Sequence, residues 1–138
     1  RALTADQRQW IERVDTVFIA SAHPEGGADA SHRGGRPGFV RVQDDGRLLF
    51  PDYGGNTMFN TLGNILANPS AALLLVDFEI GATLQLTGQA DVIWDAEQIA
   101  EFVGAERLVA FDIDEVIEIV GASPLRSRLV SYSPYNPA

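Results

Sequence analysis

The stretch Ser31-His32-Arg33-Gly34-Gly35-Arg36-Pro37-Gly38 concentrates the residues best suited to chemistry. Four of the ten arginines, Arg33, Arg36, Arg41 and Arg47, fall within fifteen residues of a chain whose net charge is −9. A guanidinium fork takes two phosphate oxygens at once, and glycines let backbone N–H groups approach an anion closely. The chemistry indicated is anion binding. The plainer alternative is a solvated loop whose arginines pair with Asp29, Asp44 or Asp45. A second cluster opens at Asn56, which reads as a helix N-cap. Thr57, Asn60, Thr61 and Asn64 follow at helical spacing. The start of a helix presents unpaired N–H groups and the positive end of its dipole. A polar face without charge suits a ligand, a subunit interface or neighbouring backbone. His32 is placed either to hydrogen-bond a cofactor ring or sugar or to act as a structural donor, and His23, beside Pro24, reads as turn surface. Asp52 closes a strand just before a glycine turn, a place where sites are often built. Asp44-Asp45-Gly46 is turn chemistry. The sequence has no G-x-S-x-G, no Walker loop and no metal-spaced histidine pair, so hydrolytic chemistry has no support.

Composition narrows the field further. The 138 residues amount to one domain, 1–138, with 46% hydrophobic and 21% charged residues. A net charge of −9 argues against nucleic acid and anionic membrane as partners. The absence of cysteine excludes disulfides and thiolate chemistry, and two histidines cannot make a multi-histidine metal site. Every basic residue is arginine, so lysine Schiff bases and lysine phosphate contacts are excluded as well. The longest uncharged stretch, Tyr53 to Val76, is interrupted by glycines, asparagines and Pro69 and is no spanning helix. The N-terminus carries no apolar run of the signal-peptide kind. The expected compartment is the cytoplasm.

The elements that must hold these residues follow from local pattern. Thr4-Ala5-Asp6-Gln7 is a capping box that predicts a short helix with Trp10, Ile11 and Val14 inward. Thr16–Ser21 and Ala28–Arg33 read as strands around the turn His23–Gly27, and Phe39–Val42 and Arg47–Phe50 as a hairpin around Asp44-Asp45-Gly46. Met58, Leu62, Ile65 and Leu66 give a helical stripe that Asn68-Pro69 ends. The run Ala71–Phe78 predicts a strand buried on both faces. Thr83–Trp94 alternates, with Gly88 marking a bulge or bend. Ala96–Val103 predicts a helix, and Arg107–Ile119 a strand with a break at Asp114-Glu115. About seven short strands with turn signals predict a mainly β fold, a barrel or sandwich.

In segment order, Thr16 to Val120 resembles the pyridoxamine-5′-phosphate-oxidase-like family of FMN-binding split barrels. The likeness is carried by Phe18-Ile19-Ala20-Ser21-Ala22-His23-Pro24, Ala30-Ser31-His32-Arg33-Gly34-Gly35, Gly38-Phe39-Val40-Arg41-Val42, Phe50-Pro51-Asp52-Tyr53 and Leu66-Ala67-Asn68-Pro69. Within that family, the Ser-His-Arg-Gly-Gly string looks like that of the oxidase-related subgroup. The resemblance implies a six-stranded antiparallel split β-barrel with Greek-key connections and short flanking helices. It also implies a homodimer with two FMN sites at the interface. Ser31, His32, Arg33 and Gly34 would occupy the strand lining the flavin and ribityl phosphate, with Arg33 on the phosphate. Asp52 and Tyr53 match the end of the next strand, where the family usually has a threonine. Asn56, Asn60 and Thr61 match the helix-opening segment that holds phosphate. The family's Ser-x-Lys at that helix start is missing. The arginine–histidine pair of the true oxidase is also missing, since no histidine follows Arg126 and Arg128. Oxidation of pyridoxamine phosphate is therefore not expected.

The reading that results is an FMN-binding, homodimeric oxidoreductase acting on a small substrate. Its rivals are a split-barrel module that holds flavin, deazaflavin or haem without turnover, and an acidic β-barrel interaction domain with no cofactor.

Overall fold

The computed structural model describes residues 3–53 and 59–121, and within the second span the side chains of residues 59–62 lie outside the description. Helix α1, Ala5–Arg13, starts where the capping box puts it. The Thr4 hydroxyl accepts from the Gln7 N–H at 3.1 Å, and the Gln7 side chain accepts from the Thr4 N–H at 3.0 Å. Trp10, Ile11 and Val14 are buried, as the spacing requires.

Seven strands among the described residues form one antiparallel sheet. They are β1 (Thr16–Ala22), β2 (Ala28–Gly34), β3 (Arg41–Val42), β4 (Leu48–Tyr53), β5 (Ser70–Asp77), β6 (Ala82–Ile93) and β7 (Ala105–Ile119). Their order is β2-β1-β5-β6-β7-β4-β3. Helices α2 (Phe59–Ala67) and α3 (Ala96–Ile99) sit in the connections. The mainly β expectation holds, but the sheet has seven strands instead of the six the resemblance implies. The seventh is β3, a two-residue piece. The expected strand Phe39–Val42 is cut short because the Phe39 N–H donates back to the Arg36 carbonyl at 3.0 Å, while Phe39 and Val40 turn into the core. Pro51 then sits in β4 beyond the reach of β3, whose pairs stop at Leu48 and Leu49. Its missing N–H costs no ladder bond there.

Three other expectations change. β5 alternates instead of being buried on both faces, with Leu73 and Leu75 in the core and Leu74 half-buried. An apolar run does not by itself distinguish these two cases. The helix expected over Ala96–Val103 closes after Ile99 into successive turns that bury Phe102 and leave Val103 outside. The break at Asp114-Glu115 is a bulge within a continuous strand, since β6 Thr87 pairs with Glu115 and the next residue, Gly88, with Ile113. A Cβ at Gly88 would run into the Asp112 carbonyl oxygen, so only glycine permits this approach. The β3–β4 turn is as expected, with Gly46 at φ 91° and its N–H on the Gln43 carbonyl.

The main core joins Trp10 and Ile11 of α1 to Val17, Ile19, Phe50, Leu73, Leu75, Leu84, Leu86, Val109 and Phe111. Among the described residues, no helix is long and apolar enough to cross a membrane.

Candidate functional site

β2 lies at one end of the sheet order, and β4 is next to the other end. No ladder joins them, yet Arg33 of β2 meets Asp52 of β4. The sheet therefore curls until its two ends face one another, and the side chains at that seam form the site. Alternation along β2 decides which side chains reach it. Arg33 stands opposite Val17 and is only 3% exposed, and Ser31 shares its face opposite Ile19. His32 stands opposite Phe18 on the other face, its ring centroid 6.3 Å from that of Phe18. The strand thus brings Ser31 and Arg33 to one side and His32 to the other.

Asp52, also 3% exposed, is shared between two arginines. Its Oδ1 is 3.5 Å from Arg33 Nη2, and its Oδ2 is 3.1 Å from Arg107 Nε. Arg107 faces Asp52 directly across the β4–β7 ladder. Arg33 Nη1 donates to the His32 carbonyl at 3.1 Å. Arg33 Nε, Arg33 Nη2, Asp52 Oδ1 and Arg107 Nε have no hydrogen-bond partner among the described residues. The contacts to Asp52 are thus ionic and poorly aligned. Burial raises the Asp52 carboxyl above the usual carboxylate range. Arg33 and then Arg107 pull it back, and Glu106 adds to the rise. Burial likewise lowers the Arg33 guanidinium against the pull of Asp52 and Asp29. Desolvation disfavours both charges, and the strained pairing only partly offsets it.

Arg107 was not among the candidates that the sequence supplied. The available signal was a charge at the entrance to Leu108–Phe111, four consecutive fully buried residues, because a charge there needs a partner. Its guanidinium lies 5.4 Å from the ring centroid of Trp94, which is 60% exposed.

The remaining candidates divide. Tyr53 ends β4 opposite a bulge in β7, where Glu106 is the extra residue and Tyr53 pairs with Ala105. Burial raises its phenol, and Arg41 opposes the rise. Gly34 ends β2, where it pairs with Thr16. Asn56 lies outside the described residues. Asn60 and Thr61 belong to α2, but their side chains lie outside the description. Farther along α2, Asn64 donates to the Ser21 hydroxyl at 3.3 Å, and Asn68 donates to the Ala22 carbonyl at 3.4 Å. That part of the polar face is spent on β1. No group of three or more acidic or histidine side chains suited to a metal occurs among the described residues.

Comparison of the sequence with curated proteins gives no match. By fold the chain is similar to HupZ of Group A Streptococcus, with TM-score 0.68 and 12% identity over 86% of this chain and 95% of that one. It is also similar to a pyridoxamine 5′-phosphate oxidase-related, FMN-binding protein of Nostoc punctiforme, with TM-score 0.59 and 14% identity over 80% and 76% of the two chains. An F420 reductase aligns with TM-score 0.60 and 14% identity over 83% and 98%. Identities this low establish the shared fold. The family model of pyridoxamine 5′-phosphate oxidase matches residues 3–121, and the chain belongs to that family.

Proposed function

We propose that the chain is an FMN-binding oxidoreductase that works as a homodimer on a small substrate. One observation carries the reading: a guanidinium is buried at the seam of the sheet with two of its nitrogens unbonded among the described residues. A buried donor in that state costs about 1–3 kcal/mol per group, and a phosphate ester is the acceptor that its fork fits. Family membership and the FMN-binding protein of the same fold support the choice of FMN. Arg33 would hold the phosphate. Bound FMN supplies the redox chemistry, and the protein supplies position, charge and exclusion of water. A site without an obvious general base is compatible with that division of labour.

The homodimer rests on the outer face of the sheet. Phe18, Leu74, Gln85 and Ile117 stand side by side across β1, β5, β6 and β7, and Ile119 follows on β7. Phe18, Ile117 and Ile119 are 36%, 41% and 43% exposed. A second copy would cover this strip.

Asp52 favours a second reading. It takes part of the Arg33 charge, which suits a module that holds a flavin or a deazaflavin loosely, without turnover. The absorbance spectrum of the purified protein, with and without added FMN and then with reduced nicotinamide, separates the two. Bound flavin bands that bleach on reduction support the oxidoreductase. Bands that persist support the module. Colourless protein that takes up no FMN overturns the FMN reading.

A further inference from the structure

We infer that Arg107 is a positioning residue of the anion site: it draws one oxygen of Asp52 away from Arg33, so that Asp52 orients the Arg33 guanidinium without capping it. The inference rests on reading this site as the seat of a phosphate ester.

The argument is one of stoichiometry. A carboxylate beside a single guanidinium turns both oxygens onto its fork. Asp52 does not, because its Oδ2 lies against Arg107 Nε at 3.1 Å and only Oδ1 is left near Arg33, at 3.5 Å. The nitrogens that a bidentate pair would consume are those left unbonded, Arg33 Nε and Nη2. The three side chains together carry one positive charge more than negative. Two acids flank them: Asp29 on β2 acts on Arg33, and Glu106, about half exposed, meets Arg107 at 3.4 Å. Arg107 is anchored independently of any ligand, by the cross-strand register with Asp52, by Glu106 and by the Trp94 ring. Its side chain is one-fifth exposed, whereas those of Arg33 and Asp52 are almost wholly buried. Arg107 is thus the member of the three that keeps its place without a ligand, and it keeps the second oxygen of Asp52 with it.

The ligand class follows. Arg107 contributes to recognition of a phosphate monoester dianion and contributes nothing to the ring system that bears it. FMN and riboflavin, which differ only in that group, are the probes. Arg107→Gln is expected to weaken FMN about tenfold or more, the usual effect of losing one charged hydrogen bond, here that of Arg33 to the phosphate once Asp52 caps it, with riboflavin unchanged. Arg107→Lys should restore most of the loss. In an Asp52→Asn background, Arg107→Gln should have no further effect, because Arg107 acts through Asp52. Equal weakening of both ligands, or a loss that persists in the Asp52→Asn background, overturns the inference. A second measurement needs no cofactor. The coupling between Arg33 and Asp52, read from urea unfolding of Arg33→Met, Asp52→Asn and the double variant, should rise about tenfold in equilibrium constant once Arg107→Gln frees the second oxygen. An unchanged coupling overturns the inference whether or not FMN binds. Failure of the wild type to take up FMN overturns the cofactor reading and leaves the coupling measurement to decide the role of Arg107.

Discussion

Replacing the buried pair by Arg33→Met with Asp52→Asn should make the protein more stable while abolishing its preference for a phosphorylated ligand. The wild-type pair sits in the interior with a 3.5 Å contact, and Arg33 Nε, Arg33 Nη2 and Asp52 Oδ1 lack hydrogen bonds among the described residues. Desolvating two ions costs several kcal/mol each, and a contact of this quality returns little of it. Arg33→Met with the isosteric Asp52→Asn approaches the replacement of a buried ion pair by well-packed hydrophobic side chains of similar volume, which is often neutral or stabilising, by up to about 4 kcal/mol. For a chain of this length that corresponds to a rise of several degrees in Tm. Arg107 tolerates the exchange because it is partly exposed and keeps Glu106 as a partner. Urea unfolding followed by the fluorescence of Trp10, which is 7% exposed, measures the change. The same variant should bind FMN no better than riboflavin. A loss of stability of more than about 1 kcal/mol would refute the reasoning, because it would mean that the pair is a well-satisfied structural bridge and not a strained site kept for a ligand.

The pH dependence of that difference has a definite sign. The Asp52 carboxyl is raised in the folded state by burial, so the folded protein holds the proton more tightly than the unfolded chain. Its contribution is therefore fully present below the unfolded value of about 3.9 and is lost as pH rises through the folded value. Subtracting the unfolding free energy of the double variant from that of the wild type at each pH should give a curve that falls upward from about pH 4; a rising curve contradicts the shift. Gly88→Ala forces a methyl group against the Asp112 carbonyl and should cost about 1–3 kcal/mol by thermal unfolding, well beyond its helix- or strand-propensity effect. Asn64→Ala removes a partly buried bond to Ser21 and should cost about 0.5–1.5 kcal/mol, read in the same way. Ile117→Arg on the outer face should convert a sedimenting particle of twice 14.9 kDa into one of 14.9 kDa with an unchanged far-ultraviolet spectrum.

What the sequence disclosed is largely what local chemistry controls. The Thr4 capping box, the Asp44–Gly46 turn and the Asn68-Pro69 stop each act within a few residues, and each appears where expected. Extent was harder to read. β3 is short because Phe39 and Val40 find the core, and α3 is short because Phe102 does. Both are tertiary preferences that override local propensity. Arg33 and Asp52 were legible one at a time, from a guanidinium beside glycines and a carboxylate at a strand end. Their pairing was not legible, because it depends on how far the whole sheet curls. Arg107 was missed for the same reason: its importance lies in the residue opposite it across the ladder. The opposite orientations of His32 and Arg33 follow from strand alternation alone, which outweighs their adjacency in the motif.

The extra residue in β7 has an effect larger than its size. Before Asp114 the odd-numbered side chains, Val109, Phe111 and Ile113, face the interior, and after it Val116 does. The phase of the strand is reversed, so Ile117 and Ile119, which an uninterrupted alternation would have hidden, are delivered to the surface. One inserted position therefore sets how greasy the outside of this protein is. Deleting Asp114 would leave both isoleucines outside, because Ile113 and Glu115 already face the adjacent Gly88 and Thr87, whereas drawing Asp114 into the ladder would turn both inward and Glu118 outward.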